Sequence, residues 1–219
     1  MESSPNDPGW NQSLGEEIAN SISHGLGLIA AAIGLPILML AAWRGGDRLY
    51  FVGAAVFAAA ILLVYLGSTL YHACPRGAIK SVLQVIDHSA IFLLIAGTYT
   101  PFTLGPLRGP WGWTMLALIW SLAILGVLLK CISGPHRWRG LSLALYLGMG
   151  WLVVVAFRPL LLHVSMTSLS WLAAGGLAYT AGVFFFVQER SRYTHFVWHL
   201  FVLLGTTCHF VAVFGCATA

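Results

Sequence analysis

The chain has 219 residues, 58% of them hydrophobic, and only 18 charged side chains, 11 basic and 7 acidic. Soluble domains carry about one charge in four residues, so this composition excludes a soluble fold and equally a collagen-like, disordered or coiled-coil one. The net charge of +4 is spread over loops without a basic patch, which argues against nucleic-acid binding, and the mean hydropathy of +0.83 marks an integral membrane protein.

In chain order, residues 1–24 (MESSPNDPGWNQSLGEEIANSISH) are polar and acidic. They lack the basic n-region of a cleavable signal, so the first span is expected to insert as its own signal. Seven continuously apolar runs follow, punctuated by charges, at about 25–43, 49–72, 82–105, 110–130, 141–158, 168–188 and 194–215. Each approaches the roughly 20 residues that cross a hydrocarbon core, and none has the alternation of a barrel strand. The predicted organisation is a polar segment, 1–24, and an all-α transmembrane domain of seven helices, 25–219. Pro36 and Pro101 fall in or near spans, where membrane helices tolerate them. Cys74, Cys131, Cys208 and Cys216 lack the spacing of a disulfide or zinc-ribbon framework and read as small buried hydrophobes.

Loops on the N-terminal side carry Arg76, Lys80, Lys130, Arg137, Arg139, Arg190 and Arg192, and the opposite loops carry Arg44, Arg48, Arg108 and Arg158. That bias predicts a cytoplasmic N-terminus by the positive-inside rule. Trp43, Trp111, Trp113, Trp138 and Trp171 fall near span ends, as an aromatic belt requires.

Ionisable groups inside a span are costly, so each exception asks for a role. Asp87 is the one acid inside a predicted span. Ser68 and His72 lie four apart at the end of the second span, and His195 and His199 four apart at the start of the seventh. A separation of four returns a helix to within about 40° of the same face. By parity, the end of the second span and the starts of the third and seventh share one side of the membrane. Counted from Arg76, Lys80 and Arg192, His72, Asp87, His195 and His199 lie about 5–10 Å below the basic loops.

Three imidazoles, one carboxylate and one hydroxyl at one depth suggest a catalytic zinc site with an open position. His72, His195 and His199 would be the ligands. Asp87 would hold or deprotonate the bound water, and Ser68 would hydrogen-bond the water or an oxyanion. The plainer alternative is that these groups only bridge helices. Glu17, Asn20 and His24 form a polar stripe on the same side, either the capped start of an interfacial helix or a second shell or substrate gate. His209 lies about 15 Å beyond His199 and about 80° around the helix, as a bridging or snorkelling group would. His88 points about 100° from Asp87, and His136 and His163 are expected in solvated loops.

Together, Glu17-Ile-Ala-Asn-Ser-Ile-Ser-His24, Ser68-Thr-Leu-Tyr-His72, the Asp87 segment IDHSAIFLLIAGTYTPF and His195-Phe-Val-Trp-His199 with LFVLLGTTCHF resemble the haemolysin III family. This is the bacterial branch of the progestin and adipoQ receptor family, in a superfamily with the alkaline ceramidases. The resemblance covers nearly the whole chain. It implies seven helices with a cytoplasmic N-terminus in the bacterial inner membrane, and an intramembrane Zn2+ built from Ser68, His72, Asp87, His195 and His199. By the ceramidase likeness it implies a zinc-dependent hydrolase whose partner is a membrane lipid, an acyl amide or ester other than ceramide. The family's name suggests instead a pore-forming, haemolytic protein. Its receptor members suggest a sensor in which zinc is structural.

Overall fold

The computed structural model describes residues 12–135, 137–188 and 191–218. His136 and Arg190, both read above as loop residues, lie outside this set, as does the start of the polar N-terminal segment. Regular structure among the described residues is helical: α1 Leu14–Arg44, α2 Arg48–Ala73, α3 Ala78–Leu104, α4 Pro110–Ser133, α5 Arg139–Trp151, a 3-10 turn Leu152–Ala156, α6 Phe157–His163, α7 Met166–Val187 and α8 Thr194–Ala217. Taking α5, the turn and α6 as one span, 7 helices among the described residues are long and apolar enough to cross a membrane.

Helix α1 starts well before the expected boundary at residue 25. Ser13 caps it in a reciprocal box with Glu16, the Glu16 carboxylate returning to the Ser13 N–H at 2.9 Å. At 31 residues α1 is about 46 Å long, more than a bilayer core requires. The extra turns carry Glu17, Asn20 and His24. Its buried residues, Asn20, the adjacent Ser23 and His24, Gly27, Ala31, Leu35, Leu38 and Ala42, otherwise recur every three or four positions. Isoleucines and leucines such as Ile22, Leu26 and Ile33 face outward. Small and polar inside, bulky and apolar outside is the pattern of a helix packed in lipid.

The fifth span departs from one continuous helix. Pro159 has no N–H for the Val155 carbonyl and its ring crowds that position, so the preceding turn tightens to 3-10 before α6 resumes. Arg158, expected in a loop, is inside α6, and His163 is its last residue, its Nδ1 2.9 Å from the Pro159 carbonyl. Lys80 and Lys130 also differ from expectation. Each is a buried helical residue whose ammonium satisfies carbonyls at a chain reversal: Lys80 donates to Tyr71 and Cys74 at 2.9 and 3.1 Å, and Lys130 to Pro135 at 2.8 Å.

Helices adjacent in sequence pack on one another through α1 to α4 and again through α7 and α8. Helix α8 returns to α1 and touches α2 and α3. Glycine sets the closest approach between α2 and α3, since a Cβ on Gly53 would lie 2.6 Å from the Pro101 backbone. In lipid this tight backbone contact is what holds helices together. The α5–α6 span packs more lightly, and behind it an apolar cavity of about 570 Å³ runs among α2, α3, α7 and α8.

Candidate metal centre

The last turn of α2, the start of α3, the first two turns of α8 and the early turns of α1 meet at one end of the bundle. His72, His195 and His199 each offer a ring nitrogen, and the three nitrogens lie within 4.8 Å of one another. The ring centroids are 4.7–5.2 Å apart. Such a set can hold a metal ion, and the arrangement of protons around it supports that fit. Nε2 of His72 and of His195 is buried without a hydrogen-bond partner among the described residues. An unpaired buried nitrogen is costly unless something else accepts its lone pair.

Two of the three rings have their tautomer held from behind. His72 Nδ1 donates to the Glu17 carboxylate at 2.7 Å, and the other Glu17 oxygen takes Lys80 Nζ at 2.9 Å. His199 Nδ1 lies 3.2 Å from the Asn20 carbonyl and 3.1 Å from Ser23 Oγ, whose hydroxyl donates to that same carbonyl at 2.8 Å. Protonation at Nδ1 leaves the lone pair on Nε2, as carboxylate–histidine–metal and carbonyl–histidine–metal triads require.

The remaining polar residues surround this cluster. Ser68 is fully buried and lines the cavity beside Asp87, which is 8% exposed. Asn20 is buried, with its side-chain amide on Gln12 at 2.8 Å. His24 does not cap α1, a task Ser13 performs. Its ring lies flat on His199, centroids 3.6 Å apart and planes 8° from parallel. His209 bridges helices, Nε2 donating to Leu172 of α7 at 3.2 Å. His88 lines the same cavity as Asp87, though a turn of 100° had set it apart.

Ser23 and Lys80 were not expected at the site, Lys80 having the pattern of a loop residue beside a turn. The signal for Lys80 was present: Lys80, Gln84 and Asp87 are spaced four and three apart, and all three are buried on one face of α3. A charge next to a turn reads as a loop residue unless that periodicity is tested.

Comparison with known proteins matches residues 12–210 to the model of the family described as Haemolysin-III related. The chain belongs to the haemolysin III family. It is 44% identical over 202 residues to Hemolysin-3 of Bacillus cereus, covering 92% of each chain, and 42% identical over 198 residues to the Hemolysin-3 homolog of Bacillus subtilis, covering 90% of this chain and 92% of that one. It is also similar to the human monocyte to macrophage differentiation factor, 28% identical over 213 residues, with 90% of this chain and 83% of that one covered. The family match spans every residue of the histidine cluster and its supports, from Glu17 to His199. With its seven apolar helices, this haemolysin III family member is a multi-pass membrane protein.

Proposed function

We propose that this protein is a zinc-dependent hydrolase of membrane lipids, cleaving an acyl amide or ester. The observation that carries the reading is the meeting of His72 with His195 and His199, the last two lining an apolar cavity together with the buried Asp87 and Ser68. Three neutral imidazoles suit zinc, which would supply Lewis acidity and bring the pKa of a water to about 7.

The chain's own residues divide the remaining work. Glu17 and the Asn20 carbonyl hold His72 and His199 with their lone pairs inward. Asp87 takes the proton of the attacking water and returns it to the leaving nitrogen or oxygen. Ser68, buried in the cavity lining beside Asp87, donates its hydroxyl hydrogen to the oxygen on which charge develops. The cavity behind them, walled by residues such as Leu94, Leu147, Val154 and Leu172, takes the acyl chain and keeps water from it.

General acid–base catalysis contributes about 10²–10⁴ in rate. Asp87→Asn should therefore keep metal and fold while lowering turnover of lipid amides or esters by that factor. Undiminished turnover in that variant contradicts the role of Asp87. Ion conductance through purified protein that survives loss of His195 and His199 would favour the pore suggested by the relatives' name.

A further inference from the structure

His24 is the one ring in this cluster with no task assigned. It is 3% exposed, lines the cavity, and neither of its nitrogens has a hydrogen-bond partner among the described residues. Its ring is stacked on His199 and meets Tyr65 edge-on at 5.3 Å. Leaving a buried polar group unpaired is costly, so an imidazole with two unpaired nitrogens marks a place where a partner arrives from outside the chain.

That partner is not the metal ion. An imidazole lone pair lies in the plane of its ring, and the planes of His24 and His199 are 8° from parallel with centroids 3.6 Å apart. Anything seated in the plane of His199 therefore sits one ring layer away from the plane of His24. His24 stands beside the ligand set, facing the same cavity as Ser68 and Asp87.

We propose that His24 is the recognition residue for the polar end of the lipid, donating an N–H to the acyl carbonyl oxygen and so fixing where the carbonyl stops along the cavity. The stack on His199 orients the donor, and the apolar wall places the chain. An alkyl chain without a carbonyl gains nothing from His24, so the residue selects carbonyl-bearing lipids from a membrane full of hydrocarbon. This deepens the hydrolase reading and rests on it only for the fate of the carbonyl, since recognition is measurable without turnover.

The test is equilibrium displacement of a fluorescent fatty probe from detergent-purified full-length protein by N-methylpalmitamide and by hexadecane. It compares wild type with His24→Phe, which keeps a ring for the stack and removes both nitrogens. Metal content is followed in parallel by elemental mass spectrometry. The expected result is about tenfold weaker binding of the amide in His24→Phe, unchanged hexadecane binding, unchanged metal content, and recovery of amide binding in His24→Gln, which restores an N–H donor. If the Phe ring proves too large beside Tyr65, His24→Leu removes the nitrogens at smaller volume and the same comparison applies. Equal amide binding in wild type and variant, or an equal loss of amide and hexadecane binding, overturns the proposal. Amide binding through His24 in a wild type that hydrolyses neither lipid amides nor lipid esters would instead refute the hydrolase reading.

Discussion

Two carboxylate–cation pairs sit at opposite ends of the bundle. At the end that holds the histidine cluster, Glu17 meets Lys80 at 2.9 Å with side chains 18% and 3% exposed. At the other end, Asp47 meets Arg108 at 3.1 Å with side chains 35% and 47% exposed. The exposed pair belongs to helix capping: Asp47 accepts the N–H groups of Leu49 and Tyr50 at the start of α2. The buried pair costs desolvation, which is a poor way to gain stability. Its carboxylate is spent on a histidine ring and its ammonium on the turn between α2 and α3. Burial of charge thus follows the chemistry of the site, and the exposed pair is the control that shows what a merely structural pair needs.

Breaking each pair should therefore give different results. Glu17→Ala leaves Lys80 buried and uncompensated and frees the His72 ring. It should cost about 3–5 kcal/mol of stability and about 10–100-fold in metal affinity, read by thermal unfolding and by titration against a chelator. Glu17→Gln sharpens the comparison, because it keeps an acceptor for His72 while losing the charge, and its metal affinity should fall between the two. Asp47→Ala should cost about 1 kcal/mol as a lost cap and leave metal affinity unchanged. Although partial burial raises the pKa of the Asp47 carboxyl, hydrogen bonds from the Tyr50 backbone and Arg108 hold it below its usual 3.8. Its contribution is therefore present at neutral pH and lost as the pH falls through the acid range below 3.8, a loss that Asp47→Ala should abolish. Arg108→Ala should be the smallest effect, below about 1 kcal/mol and screened by salt.

The seven spans were legible because sparse charges bound long apolar runs, and that signal does not depend on packing. The ends were less so. Hydropathy cannot see the Ser13–Glu16 box that starts α1, because it is built from polar residues. Nor does it see Pro159 tightening a turn within an apolar run. At the site, the His72, His195 and His199 trio followed from helical spacing and parity alone. The proton arrangement behind it did not. Which nitrogen of His72 is held depends on Glu17 reaching across from α1, a contact 55 positions away in sequence. The stacking of His24 on His199 is equally a product of how α1 lies against α8, for which periodicity within either helix gives no hint.

Zinc stoichiometry tests most directly whether the three imidazoles act as a zinc site. Elemental mass spectrometry on detergent-purified wild type beside the His195→Ala/His199→Ala variant should find about one zinc per chain in the first and none in the second. A well-folded wild type without zinc, or equal zinc in both proteins, would contradict a zinc site there.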